Sequence, residues 1–201
     1  MRPKFFYFDL GNVLLFFDHD LAFRRMARIA DVSAKQMRQA VMDTELQIHY
    51  ETGHISGIEF IDRIGEHLGR TLDHSSMLQA AADMFIANTH ILPVLELVRS
   101  MKIPMGLLSN TCEAHWNWIL EMRYPQVIDW FSPVILSYEA KSMKPDHGIY
   151  EIAEQQSGYG PNELFFTDDR EDNVAAACAR GWQAEVFINA DRLMKTINSW
   201  G

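Results

Sequence analysis

The sequence predicts an α/β fold, a parallel sheet covered on both faces by helices, with an α-helical block inserted into it. Three observations predict it. Short apolar runs at 5–8, 103–108, 134–136, 164–166 and 184–188 alternate with helix-like segments from residue 92 onward, the texture of crossover-connected parallel strands. Several of these runs stop at reactive polar groups: Asp9, Ser109-Asn110 and Asp168-Asp169. Between about 17 and 88 only helical periodicity is visible, so this block interrupts a sheet that begins before it and continues after it. The expected division is a core of 1–16 and 89–201 and a helical cap of 17–88.

The first run, Phe5-Phe6-Tyr7-Phe8, is too short for a helix and has no polar face, so it reads as a buried strand. It leads directly into Asp9, Gly11 and Asn12. A buried carboxylate is costly unless it is paired or bound to a metal, and open α/β sheets place their ligands at strand carboxyl ends. On this fragment alone Asp9 is either a functional carboxylate or a turn and helix-cap residue.

A helix follows, with Leu21, Met26, Ile29 and Ala30 on one face and Arg24, Arg25 and Arg28 turned outward. Ser33 and Gln36 form a capping box for a second helix through Met42. The pattern breaks into a loop over 47–54. Ser56 and Glu59 cap a third helix with Phe60, Ile61, Ile64 and Leu68 inside, ended by Gly69, and a fourth covers 75–87. No strand is expected between 18 and 88. Pro93 suits a helix first turn, and that helix runs to about 101. The strand at 103–108 closes with Ser109, Asn110 and Thr111, and a helix carries Trp116, Trp118 and Ile119. After the strand at 134–136, Pro145 opens a helix that ends near Gly158. Thr167, Asp168 and Asp169 close the strand at 164–166. A helix over 173–179 stops at Gly181, and a last strand and helix finish the chain.

The chain has 201 residues, 48% of them hydrophobic, enough for a full core. A formal net charge of -9 argues against a nucleic-acid partner, which needs a basic footprint. It leaves open a small anionic substrate, which responds to the field of its own pocket. Two cysteines, Cys112 and Cys178, make neither a disulfide framework nor a zinc spacing; they suit a reducing cytoplasm and read as small buried hydrophobes. Asp9 interrupts the first apolar run too early for a signal peptide, and no run is long enough for a membrane span. The expectation is a cytoplasmic monomer or homodimer with no membrane partner.

In a parallel sheet the strand ends lie on one edge and can converge. That would gather Asp9, Ser109, Asn110, Lys144, Asp168 and Asp169. These types suit phosphoryl transfer. An ionised Asp can attack phosphorus and form an aspartyl-phosphate. A second acidic pair beside it calls for a cation, and a hard oxygen site of carboxylates and water suits Mg²⁺. Lys144 adds fixed charge, and Ser109 with nearby backbone N–H groups can hold phosphoryl oxygens where a helix begins.

Four segments, Phe8-Asp9-Leu10-Gly11-Asn12-Val13, Leu108-Ser109-Asn110, Lys144-Pro145-Asp146 and Phe165-Phe166-Thr167-Asp168-Asp169-Arg170-Glu171-Asp172-Asn173, stand in the order found in the haloacid dehalogenase (HAD) superfamily, which the chain resembles over essentially its whole length. The pattern is most similar to that of bacterial sugar-phosphate phosphatases of the glucose-1-phosphate phosphatase kind. The resemblance implies a Rossmann-like core with a helical cap inserted after the first motif. It implies Asp9 as nucleophile and metal ligand, Gly11 as a carbonyl ligand, Ser109 and Asn110 as phosphate binders, and Lys144 as a charge stabiliser that also binds phosphate. It further implies Asp169 as a Mg²⁺ ligand with Asp168 beside it, and Asn173 and Asp172 in support. The implied substrate is a small-molecule phosphate ester.

The chain departs from the family's phosphatase pattern at Gly11, where most members carry a second Asp as general acid and base. The family's dehalogenases also lack that Asp, but they need no metal, whereas Asp168-Asp169 favours one. A 2-haloacid dehalogenase, and a phosphate-binding regulatory protein whose catalysis has lapsed, are therefore the rival readings. Asp18, His19 and His49 are candidates for the missing acid, and His115 lies one turn beyond Ser109. Asp172 is placed either to hold Lys144 or to start the helix at Asn173. Glu45 and His49 have i, i+4 spacing but read as a solvated face, and Trp116, Trp118 and Trp130 as packing. The segment 49–54, over a rigid site, is where substrate selection would reside.

Overall fold

The computed structural model describes residues 2–42, 45–122, 124 and 129–200. Its centre is a five-stranded parallel sheet in the order β5-β4-β1-β6-β7, built from β1 (Phe5–Phe8), β4 (Met105–Ser109), β5 (Val134–Leu136), β6 (Leu164–Asp168) and β7 (Gln183–Val186). β1 lies in the middle, with Phe6 opposite Met105 on one side and Phe165 on the other.

All four residues of β1 are buried, and the two-residue period sorts them between two cores. Phe6 and Phe8 pack with Val94, Leu95 and Val98 of α6 (Leu92–Ser100) and with Leu193 and Ile197 of the final helix, α11 (Ala190–Asn198). Phe5 and Tyr7 pack on the other face with Ile149, Tyr150 and Ala153 of α9 (His147–Ser157) and with Ala177 of α10 (Glu171–Ala179). Burying each such ring stabilises by about 1.5–3 kcal/mol. The Tyr7 hydroxyl, which would otherwise be stranded, donates to the Ala153 carbonyl at 2.8 Å. This sandwiching by helices explains an unbroken aromatic run in place of an alternating one.

The helical block contains α1 (His19–Ala30), α2 (Ala34–Met42), α3 (Leu46–Glu51), α4 (Gly57–Leu68) and α5 (His74–Ala82). Phe23, Met26, Met37, Leu46, Tyr50, Phe60, Ile61, Ile64 and Met77 form an apolar cluster in it, which Cys112 joins from the segment after β4. The capping signals behave as read. Ser33 and Gln36 exchange hydrogen bonds, the Ser56 hydroxyl accepts from the Glu59 N–H, and Gly69 takes the left-handed conformation at the end of α4.

Several expectations are corrected. The chain enters the block through β2 (Leu15–Phe17) and leaves it through β3 (Phe85–Ala87), which pair antiparallel as a two-stranded ribbon. The helix expected over 75–87 therefore ends at Ala82, and a strand does occur between 18 and 88. The stretch expected as a loop from 47 contains α3 as far as Glu51. On α1 the buried face is Ala22, Phe23, Met26, Ala27 and Ala30, while Ile29 is exposed and Leu21 only partly buried. Cys112 is buried as expected, but Cys178 is exposed. Among the described residues no helix is long and apolar enough to cross a membrane.

Candidate active site

The carboxyl ends of β1, β4 and β6 bring Asp9, Ser109 and Asp168 to one edge of the sheet, and all three are buried. Lys144 reaches the same point from the loop that follows α8 (Ser137–Ala140). Its buried ammonium spends three hydrogen bonds there, donating to Asp9 Oδ1 at 2.7 Å, Asp168 Oδ2 at 2.6 Å and the Leu108 carbonyl at 2.7 Å. Asp168 is fully engaged. Asn173 Nδ2 donates to both of its oxygens at 3.0 Å, and the Arg170 N–H donates to Oδ1 at 2.8 Å. Asp169 is more open, and its Oδ2 accepts from Asn12 Nδ2 at 2.8 Å. Asn12 makes this contact from a left-handed backbone, φ 55°, a conformation Asn tolerates better than most residues.

Asp9, Asp168 and Asp169 each place a carboxylate oxygen within 4.8 Å of the others, the one such group of candidate metal ligands among the described residues. Three carboxylates against one ammonium leave two formal negative charges when all are ionised. A hard oxygen donor set with that excess fits a divalent cation such as Mg²⁺. Burial pushes the Asp9 carboxyl up, to about 7, while the Lys144 ammonium pulls it down and Asp168 adds to the rise. Burial works against the charge on Lys144, but Asp9 and Asp168 outweigh it and the net shift is upward.

Asn110 uses its side chain differently from the expectation. Its Oδ1 accepts from the Lys144 N–H at 2.7 Å and its Nδ2 donates to the Lys144 carbonyl at 2.8 Å, while its own carbonyl accepts from the Ser109 hydroxyl at 3.4 Å. Asp172 does not touch Lys144. It pairs with Arg170 at 2.6 Å and accepts from the Asn173 N–H at the start of α10.

Above this edge lies a cavity of about 620 Å³, walled by the sheet edge on one side and by Phe17, His19, Gln47, Glu51, Met84 and Phe85 on the other. Of the three acid candidates only His19 lines it. Asp18 caps α1 and is exposed, and His49 is exposed on α3. His115 lines the cavity and is held well below the usual imidazole range, at about 4, by burial and then by His19. Burial and Arg38 also lower His19. Glu45 and His49 form no metal group. Trp116 and Trp130 pack against the main core, and Trp118 lines a separate groove between α5 and α7 (Glu113–Glu121).

Sequence reasoning did not single out Asn12, Phe17, Gln47, Glu51 or Arg170. Glu51 belongs to the segment 49–54 named as a place for selection and Gln47 to the loop expected over 47–54, but without a role for either. The chain there is clasped to the core: Ser137 Oγ donates to the Glu51 carbonyl at 2.6 Å, Lys141 Nζ donates to the Gly53 carbonyl at 2.6 Å, and the Tyr50 hydroxyl accepts from the Ala114 N–H at 3.2 Å. Gly53 sits at φ +64° with the Tyr138 carbonyl 2.2 Å from where a Cβ would lie, so this close approach admits glycine alone.

No family model matches the chain. A curated D-ribitol-5-phosphate phosphatase from Bacteroides thetaiotaomicron is 25% identical over 173 residues, 83% of each chain. A HAD family enzyme from the same organism, solved in complex with magnesium and inorganic phosphate, superposes with a TM-score of 0.81 at 28% identity, covering 92% of this chain and 93% of that one. A HAD-like hydrolase from Porphyromonas gingivalis shares the fold, with a TM-score of 0.79 at 22% identity over 100% and 98%. The resemblance to HAD hydrolases, with the Rossmann-like α/β fold it implied, is borne out. The relatives also agree with a HAD-type phosphatase and with magnesium as cofactor.

Proposed function

We propose that the chain is a Mg²⁺-dependent phosphomonoester hydrolase acting on a small polyol or sugar phosphate through an aspartyl-phosphate on Asp9. The observation that carries this reading is the Lys144 ammonium bridging Asp9 and Asp168 at 2.7 and 2.6 Å, with Asp169 beside them. In this reading residues 1–16 and 89–201 form the catalytic core and 17–88 a cap that closes the cavity.

Asp9 attacks phosphorus with one carboxylate oxygen while Lys144 holds the other. The P–O bond to the leaving group breaks and its electron pair goes to that oxygen. The Ser109 hydroxyl and the backbone N–H of Asn110 hold phosphoryl oxygens, and a water then hydrolyses the acyl phosphate. Asp9, Asp169 and the Gly11 carbonyl would hold Mg²⁺, and Asp168, whose oxygens are already taken, would anchor Lys144. The bound ion would offset the negative charge that a phosphate dianion meets among these carboxylates. Two relatives support the reading, one named as a ribitol-phosphate phosphatase and one bound to magnesium and phosphate.

The test is phosphate release from a panel of polyol and sugar phosphates with and without Mg²⁺. Release that needs Mg²⁺, stops with EDTA and is absent in a folded Asp9→Asn variant is expected. Chloride release from a 2-haloacid in metal-free buffer would select the dehalogenase reading instead, and phosphate binding with no turnover of any ester the regulatory one.

A further inference from the structure

We infer that Glu51, reaching the cavity from the end of α3, donates the proton to the departing alkoxide in place of the carboxyl group absent at position 11. The inference rests on the phosphatase reading above and adds to it the identity of its acid.

The geometry begins at Gly11. A Cβ built there would lie 2.7 Å from Cε1 of Phe17, so an aromatic ring occupies the space a carboxyl group would need. The proton must come from another wall. Among the described residues the carboxyl groups lining the cavity are Asp9, Asp169, Asp146 and Glu51. Asp9 and Asp169 belong to the acidic cluster, and Asp146 is an exposed helix cap. Glu51 alone comes from the opposite side. Its backbone carbonyl is tied to Ser137 at 2.6 Å, and Ser137 accepts from the Thr111 N–H at 2.9 Å, so it is fixed relative to the loop that follows Ser109. Gln47 Nε2 donates to its Oε1 at 2.6 Å, and no described group takes Oε2.

The surroundings favour the protonated form of this carboxyl. Burial raises Glu51, and the Gln47 hydrogen bond and Arg170 offset that only in part. The Arg170 guanidinium is itself paired with Asp172. His19 and His115, which share the cavity wall, are both lowered by burial and so stand neutral. Cys112, behind Glu51, is pushed up to about 12 and the Tyr50 phenol is raised as well, so neither carries charge. A glutamic acid raised toward the working pH suits general acid catalysis, whereas a neutral imidazole of depressed pKa is a poor donor.

The step balances as follows. Asp9 forms its bond to phosphorus as the ester P–O bond breaks, and the alcohol oxygen takes the electron pair of that bond together with the Glu51 proton, leaving as ROH. The Glu51 carboxylate then accepts a proton from the water that attacks the aspartyl-phosphate. Asp9 is released as carboxylate, inorganic phosphate departs, and Glu51 is again protonated.

The experiment compares kcat/KM for a polyol phosphate and for 4-nitrophenyl phosphate in the wild-type protein and in Glu51→Gln. An alkoxide needs the proton and a nitrophenolate hardly does. A positioned acid contributes ~10²–10⁴-fold, so the polyol-to-aryl ratio should drop by about 100-fold or more. The decline of polyol kcat at high pH should disappear in Glu51→Gln and survive in Glu51→Asp. Equal losses on both substrates would make Glu51 a structural or binding residue, and an unchanged ratio would place the acid elsewhere; either overturns the inference. Aryl phosphate turnover by the wild type tests the underlying phosphatase reading separately. If no Asp9-dependent phosphate release occurs at all, that reading fails and the inference fails with it.

Discussion

The side-chain amide of Asn110 closes a two-point clasp on the backbone of Lys144, accepting from its N–H at 2.7 Å and donating to its carbonyl at 2.8 Å. The clasp holds the lysine main chain against the end of β4, so that its ammonium meets Asp9 and Asp168. Asn110→Ala removes both bonds and leaves two backbone groups without partners. The expected cost is about 1–3 kcal/mol in urea unfolding, with a fall in kcat larger than any rise in KM. A variant with wild-type stability and kcat would show that the Lys144 loop is held by other contacts.

Lys144→Met removes the one cation between Asp9 and Asp168, whose side chains are 10% and 0% exposed. Breaking such a buried arrangement costs about 3–5 kcal/mol at neutral pH. The sign of the pH dependence follows from linkage. Without the ammonium the folded Asp9 carboxyl, which burial already raises, binds its proton more tightly than in the unfolded chain. Its contribution is most favourable below the unfolded value near 4 and is lost as pH rises. The gap between variant and wild type should therefore be smaller at pH 5 than at pH 8, measured by urea unfolding in EDTA. A constant gap would mean that the loss is one of packing and not of charge.

His115 gives the opposite sign. Burial lowers it to about 4, below the ~6.5 of an unfolded histidine, so between these values the unfolded chain binds the extra proton. Its contribution is fully present above about pH 6.5 and is lost as pH falls to about 4, on the order of 3 kcal/mol. His115→Gln should flatten this part of the stability profile while leaving the region above pH 7 nearly parallel to wild type. An acid limb as steep as before would assign the effect to other groups.

Much of this architecture is visible in the chain because local chemistry and global position agree there. The run Phe5-Phe6-Tyr7-Phe8 tolerates no exposed face, and the central strand it forms offers none. What stayed hidden depends on contacts distant in sequence. Phe85–Ala87 is a three-residue strand whose partner, Leu15–Phe17, lies on the far side of the helical block, and three residues carry no readable period. α3 has six residues, fewer than two helical turns, so its period was lost in a polar stretch and Glu51 with it. Asp168 and Asp169 read alike in sequence. Only the fold separates a carboxylate saturated by Lys144, Asn173 and the Arg170 N–H from one left open beside Asn12.

Gly11 and Phe17 supply the last prediction. Gly11 does not sit at positive φ, so the position needs glycine for space and not for backbone conformation. The Phe17 ring fills that space and is pinned there. It stacks edge-on against His19 at 4.8 Å between ring centres, and its backbone pairs with Phe85 in the β2–β3 ribbon. Gly11→Ala forces the methyl group against this ring, and overpacking of this kind costs about 1–3 kcal/mol. Phe17→Leu removes the atoms in conflict, so in that background Gly11→Ala should cost little. A double-mutant cycle on urea unfolding should return a coupling of about 1–2 kcal/mol, and additivity within about 0.5 kcal/mol would show that the ring swings away freely. The same logic reaches the chemistry. Gly11→Asp alone should not raise turnover of polyol phosphates, because the added carboxyl has no room beside the ring. Paired with Phe17→Leu it should recover part of the activity lost in Glu51→Gln, measured as kcat on the polyol substrate. Recovery by Gly11→Asp without the second change would mean that Phe17 is no barrier and that the chain lacks this carboxyl group for some reason other than space.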